Sequence, residues 1–278
     1  MSGKFDLGGV EAGLAATPFA GRVHHVESVG STNTLALEAA QGGVATGVWC
    51  ADEQTAGRGR SGHQWHSAAG DGLYVSVLVR PRLVGADALK LSLAAGLAAQ
   101  KAILAVTGLE TDLRWPNDLM VTGVDGVERK FGGILTESAM DGGEGALAYA
   151  VIGIGMNLNH AELPEELRPI ATSLRIAGGE MVSREGVLVA LLRGLAEEVA
   201  LLEAEAGGAV REPVTERFTR ASGWARGLRV EVAEDAGYTG TTDGLDRHGL
   251  LRVRLEDGTT RTVRHGGVRR LAERRASS

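Results

Sequence analysis

Gly57-Arg58-Gly59-Arg60-Ser61-Gly62-His63-Gln64-Trp65 is the stretch on which the reading of the fold turns. Its glycines at 57, 59 and 62 match the G-x-G-x-x-G spacing of dinucleotide-binding loops. That fingerprint requires a strand before it and a helix opening at the glycines, with phosphate on the helix N-terminus. A strand does precede it, Gly47 to Gln54. On its other side lie His63 to Ser67, a Gly70-Asp71-Gly72 turn, and then Leu73-Tyr74-Val75-Ser76-Val77-Leu78-Val79. The last run is β-branched and aromatic and reads as a second strand. The stretch is therefore a loop between two strands, expected to be mobile and to close over a ligand. Its glycines let the backbone wrap closely, and two guanidinium forks suit carboxylate or phosphate oxygens. Such a loop has little core contact to set against its ordering entropy; an anion would supply the difference.

The totals place this loop in a soluble globular chain. At 278 residues there is length for one large domain and a small one. The net charge of −6 gives no general attraction to nucleic acid, and no DNA partner is expected. The basic run from Arg269-Arg270 to Arg274-Arg275 reads as a solvated tail. A single cysteine, Cys50, excludes an intramolecular disulfide and a cysteine-based zinc site. No apolar run approaches a membrane span, and the start lacks the basic-then-apolar layout of a signal peptide, so no membrane partner and a cytoplasmic location are expected.

Around the loop the chain divides into distinct regions. Residues 1–20 are Gly- and Ala-rich without a firm period and read as flexible. Residues 21–206 carry the alternation of strands and helices expected of the main domain. Arg22 to Val29 forms a weak strand. Ser31-Thr32-Asn33-Thr34 then offers cap chemistry for a helix over Leu35 to Gln41. Ala86 to Thr107 is a long Ala/Leu helix closed by Gly108, apolar nearly all round. Leu113 to Val121, Lys130 to Ser138 and Leu147 to Asn157 read as strands, and Ser183 to Glu205 as a helix ended by Gly207-Gly208. A linker with a short helix, Pro213 to Ser222, occupies 207–224. From 225 to 273 short alternating runs and recurrent Gly/Asp turns indicate a small β-barrel, with 274–278 a tail.

Four further segments accompany the loop: Ser31-Thr32-Asn33, Arg114-Trp115-Pro116-Asn117-Asp118, Arg129-Lys130-Phe131-Gly132-Gly133-Ile134-Leu135 and Gly153-Ile154-Gly155-Met156-Asn157. In this order and spacing they resemble the biotin protein ligase family over about residues 22 to 205, in a form without the N-terminal helix-turn-helix that several bacterial members carry. The resemblance implies an α+β fold, a mixed sheet backed by helices of the class II synthetase type, with an SH3-like C-terminal barrel. It implies that biotin and ATP give biotinyl-AMP, with Mg²⁺ bridging phosphates, and that biotin then passes to a lysine of a biotin carboxyl carrier domain of acyl-CoA carboxylases. A monomer or weak homodimer is expected. Lipoate–protein ligase and a non-catalytic biotin sensor are the rival readings.

The resemblance also assigns roles. Arg58, Gly59 and Arg60 face biotin, Arg60 also the phosphates; Lys130 stands near the carboxylate and the bridging oxygen. Joining two anions requires prior neutralisation of charge, which these cations supply. Ser31, Thr32, Asn33 and Gln54 are hydrogen-bonding partners for the ureido ring, although the first three could serve simply as a helix cap. Gly133, Gly153 and Gly155, lacking side chains, form the wall against the ligand. Trp65 has a face able to stack on adenine. Asn117 and Asn157 are ATP contacts, and Asp118 is the candidate magnesium ligand. Where the family often has Lys before Trp-Pro-Asn-Asp, this chain has Arg114; Ser61 and His63 replace basic loop residues found in some members.

Overall fold

The computed structural model describes residues 5–142, 145–264 and 267–271. A short helix α1 (Leu7–Gly13) leads into β1 (Val23–Val29), α2 (Thr32–Gln41) and β2 (Gly47–Gln54). After the glycine–arginine loop come β3 (Gly72–Val79), α3 (Ala88–Thr107), β4 (Asp112–Arg114), β5 (Asp118–Thr122), β6 (Glu128–Met140) and β7 (Leu147–Asn157). These seven strands make one mixed sheet, in the order β1-β2-β3-β7-β6-β5-β4. Only β1 and β2 run parallel, because α2 crosses between them; the other neighbours are antiparallel.

β3 is buried along its whole length, which explains its unbroken apolar run with Ser76 as the one polar residue. Beneath the sheet, α3 packs against the long helix α5 (Arg184–Ala206), which follows the short α4 (Leu174–Gly178). The alanines of α3 are what permit this: a Cβ on Gly194 would stand 3.4 Å from that of Ala98, so the helices meet on small residues. Gly85–Thr107 proves long and apolar enough to cross a membrane by length and composition, contrary to the expectation from sequence. Its most apolar stretch is 67% buried, and it serves as the core helix.

Ion pairs to a buried carboxylate join the layers. Glu198, at 1% exposure, receives Lys101 of α3 at 2.9 Å and Arg217 of α6 (Val214–Ala221) at 2.6 Å. The C-terminal region adds β8 (Arg226–Val232), β9 (Tyr238–Leu245), β10 (Leu251–Arg254), β11 (Thr260–Val263) and β12 (Val268–Arg270), an antiparallel sheet ordered β11-β10-β9-β8-β12.

Three expectations need correction. Residues 5–20 are folded: Asp6 caps α1 through Gly9, and Phe5, Val10, Leu14 and Phe19 are buried. Only two helical turns are present, so no period shows, and packing against α5 overrides the poor propensity of Gly-rich sequence. The expected strand over 113–121 is two, β4 and β5, reversed at Trp115-Pro116-Asn117. Arg269 and Arg270 belong to edge strand β12, paired with β8, rather than to a tail. The tail at 274–278 lies outside the described residues.

Candidate active site

The ends of β2, β6 and β7, the start of α2 and the glycine–arginine loop converge on one cavity. Its lining includes Ser31, Thr32, Asn33, Gln54, Arg58, Gly59, Arg60, Trp65, Asn117, Lys130, Gly133, Gly153 and Gly155. Thirteen sequence-predicted residues are thus brought together from six separate segments. Of the remaining two, Asp118 reaches the cavity through its ion pair with Lys130, and Asn157 stands behind it.

Register explains the glycine wall. In the ladder β3-β7-β6, Gly155 pairs with Tyr74 on one side and with Gly133 on the other. A Cβ on Gly155 would lie 2.6 Å from Trp65 Nε1, and one on Gly133 3.1 Å from Lys130 Nζ. Trp65 therefore lies flat on strands that carry no side chain beneath it. Its indole N–H is buried without a hydrogen-bond partner among the described residues, and Lys130 Nζ sits 5.4 Å from the ring centroid.

The polar wall is continuous. Ser31 occupies the N-cap position of α2 but makes no capping hydrogen bond, which leaves its hydroxyl to the cavity. Thr32 donates its backbone N–H (2.9 Å) to Gln54 Oε1, with its hydroxyl 3.1 Å from the same oxygen. Gln54 Nε2 donates to Ser67 at 3.1 Å. Asn33 accepts from Ser76 and donates to Glu137 at 2.8 Å. The amide of Asn33 is thus already engaged within the wall.

Charge is distributed unevenly. Arg58 pairs with Glu137 at 3.0 Å. Arg60 has only the neutral Asn117 amide, 3.3 Å from Nη1, as a side-chain hydrogen-bond partner, and no carboxylate pairs with it among the described residues. Burial lowers its pKa from the ordinary value, against the attraction of Asp118. A half-buried guanidinium that no carboxylate contacts directly is a site that draws an anion in. Lys130 bonds Asp118 Oδ1 at 2.6 Å, and the other carboxylate oxygen takes Arg114.

Each Asp118 oxygen thus already faces a cation, so a magnesium ion held there would have two positive neighbours. No group of three or more metal-ligating side chains occurs among the described residues. Asn157 does not line the cavity either. It is buried and donates to the Thr172 carbonyl at 3.1 Å, while Thr172 N–H bonds the Lys130 carbonyl at 2.9 Å. Asn157 thereby fixes the segment that holds the Lys130 backbone.

Sequence reasoning missed Glu137, Ser76 and Ser67. A signal existed for Ser76, the lone polar residue of a buried apolar strand. Glu137 reads as an ordinary outward residue of β6 until its contacts are seen.

A mixed sheet whose glycine-lined end is covered by an arginine-bearing loop is an architecture with known relatives. The sequence model of the Biotin/lipoate A/B protein ligase family matches residues 25–157. The bifunctional ligase/repressor BirA of Bacillus spizizenii is 32% identical over 267 residues, 92% of this chain and 76% of that protein. The biotin–[acetyl-CoA-carboxylase] ligase of Paracoccus denitrificans is 34% identical, covering 81% of this chain and 90% of the relative. Among solved structures, the biotin protein ligase from Aquifex aeolicus in complex with biotin and ATP superimposes with a TM-score of 0.73 at 27% identity, covering 90% and 99% of the two chains. The chain belongs to the biotin/lipoate protein ligase family, on its biotin protein ligase branch.

Proposed function

We infer that this protein is an ATP-dependent biotin protein ligase, which activates biotin as biotinyl-5'-AMP and passes it to the biotin carrier of acetyl-CoA carboxylase. The observation that carries the reading is the placement of Arg60 and Lys130 over a side-chain-free wall, with no carboxylate paired to Arg60 among the described residues.

The first step joins a biotin carboxylate oxygen to the α-phosphorus of ATP and expels pyrophosphate. Both reactants are anionic, so they approach only where fixed cations offset their repulsion. Arg60 supplies that charge without surrendering a carboxylate partner. Lys130, held by Asp118, presents an ammonium to charge developing on the phosphoryl oxygens. Thr32, Gln54 and the free Ser31 hydroxyl offer donors and acceptors to the ureido ring. Trp65 lends its face to the adenine after moving off the glycine wall. In the second step the carrier lysine amine attacks the acyl carbon, AMP leaves, and the amine proton is released.

Magnesium would enter with ATP, and Asp118 would hold it only by sharing its oxygens with Lys130 and Arg114. Specific DNA binding is not part of the proposed function, given the net charge of −6. ATP–pyrophosphate exchange tests the reading: stimulation by biotin and not by lipoate is expected. Stimulation by lipoate alone would make this a lipoate ligase, and by neither a non-catalytic binder.

A further inference from the structure

A row of polar side chains runs in unbroken contact around the cavity, and its hydrogen atoms can be assigned from one end. Glu137 Oε2 lies 2.8 Å from Asn33 Nδ2 and 3.0 Å from Arg58 Nη2. A carboxylate only accepts, so Asn33 must turn its NH₂ toward Glu137 and its carbonyl oxygen toward Ser76. That oxygen cannot donate; the single Ser76 hydroxyl hydrogen therefore goes to Asn33. Ser76 Oγ, 2.8 Å from Thr32 Oγ1, is left as an acceptor. Thr32 then directs its hydroxyl hydrogen to Ser76 or to Gln54 Oε1, and never receives one from Ser76. Gln54 keeps its oxygen toward Thr32 and its NH₂ toward Ser67.

The row begins and ends on the glycine–arginine loop, at Arg58 on one leg and Ser67 on the other. Glu137 belongs to β6, a rigid strand of the main sheet, and is its fixed point. We propose that Glu137 is a positioning residue that latches the loop through Arg58 and, together with the Leu135 carbonyl, sets the direction of the hydrogen bonds from Asn33 through Ser76 along the biotin-facing wall. Without its carboxylate, Arg58 loses its only ion-pair partner among the described residues, and Asn33 keeps only the longer contact from Nδ2 to the Leu135 carbonyl, 3.4 Å, to resist inversion. An inverted Asn33 presents NH₂ to Ser76, drives the Ser76 hydrogen toward Thr32, and changes which groups the wall offers to a ligand.

The biotin-facing part of this assignment rests on the proposed ligase activity; the latch does not. Two variants, Glu137→Gln and Glu137→Ala, are compared with the parent in two measurements. Limited trypsin digestion of the ligand-free proteins reads the latch: cleavage after Arg58 should accelerate about fivefold in both. Adenylation kinetics read the wall: in Glu137→Ala the KM for biotin should rise about tenfold while kcat stays within about threefold, a split that general loss of fold would not produce, and the rise should be smaller in Glu137→Gln, whose amide oxygen still accepts from Asn33. Failure of the parent to form biotinyl-AMP would remove the ligase reading and leave the cleavage comparison valid. Cleavage and biotin KM both within twofold of the parent in a soluble Glu137→Ala variant would overturn the proposal, as would a loss confined to kcat.

Discussion

Lys130 Nζ stands 2.6 Å from Asp118 Oδ1, across the β5–β6 pair, while Arg114 occupies the other oxygen of the same carboxylate. The lysine at the cavity is thus a held ammonium, aimed before any ligand arrives. Preorganisation of this kind separates a charge that stabilises a transition state from one that merely attracts substrate.

Replacing Lys130 by Ala should lower the adenylation rate by roughly 100-fold, about 3 kcal/mol, the order found when one preorganised donor is removed. Biotin affinity should change far less. Asp118→Asn should lose less than the lysine variant, and the double variant should not be additive, because both act through one ammonium. Rates within twofold of the parent for Lys130→Ala, measured by pyrophosphate exchange, would reduce this residue to surface charge.

Gly155 tests the glycine wall. A Cβ there would lie 2.6 Å from Trp65 Nε1 and 2.7 Å from Cε2, and nothing among its three nearest neighbours belongs to the core. Gly155→Ala should fold with little change in melting temperature, since it displaces only a loop side chain. Biotin-dependent exchange should fall at least tenfold. A variant that unfolds instead would show the glycine to be needed for the sheet rather than for the ligand.

The cavity was legible in sequence to an unusual extent because glycine, arginine and tryptophan were clustered where a core has no use for them. Ser31 to Asn33, Gln54 and the loop are found together around one space, and β3, β7, α3 and α5 follow their apolar patterns. What stayed hidden depends on partners distant in sequence. Glu137 gains its meaning from Arg58 and Asn33, residues 79 and 104 positions away. The engagement of Asp118 by two cations likewise depends on side-chain geometry, and a motif alone made it a metal ligand. Phe5 stacks on His25 at 4.2 Å and under Arg184, contacts that no local period announces. Short elements are specified by what they pack against.

His160 gives a pH dependence with a definite sign. It is 1% exposed, neither ring nitrogen has a hydrogen-bond partner among the described residues, and its ring lies 5.9 Å from that of His66 on the glycine–arginine loop. Burial lowers its pKa from 6.5, Asp71 opposes this, and His66 adds to it. The unfolded chain therefore takes up the proton at higher pH than the folded one. Stability present above about pH 6.5 is lost as the pH falls, until the folded histidine titrates as well. Melting temperatures between pH 5 and 8 should decline more steeply for the parent than for His160→Gln. Parallel curves would mean that His160 carries none of the dependence.

Trp115 links the C-terminal sheet to the catalytic side. Its indole N–H donates to the Gly249 carbonyl at 2.8 Å, in a turn where Gly249 takes a φ of +87°. That turn rests on α3, with Leu93 and Leu89 the nearest side chains to Gly249. Trp115 is followed by Pro116, Asn117 and Asp118, so the turn that sets the partners of Arg60 and Lys130 is itself held by the C-terminal region. Trp115→Phe keeps the bulk of a buried ring but leaves a buried carbonyl without its donor, a loss of about 1 kcal/mol. The melting temperature should fall by roughly 2–4 °C in a chain of this size. The larger effect is expected in kinetics: freedom at Asn117 and Asp118 should raise KM for ATP several-fold while KM for biotin moves less than twofold. Equal increases in the two constants would show that the C-terminal sheet supports the whole cavity uniformly, and that no particular coupling runs through Trp115.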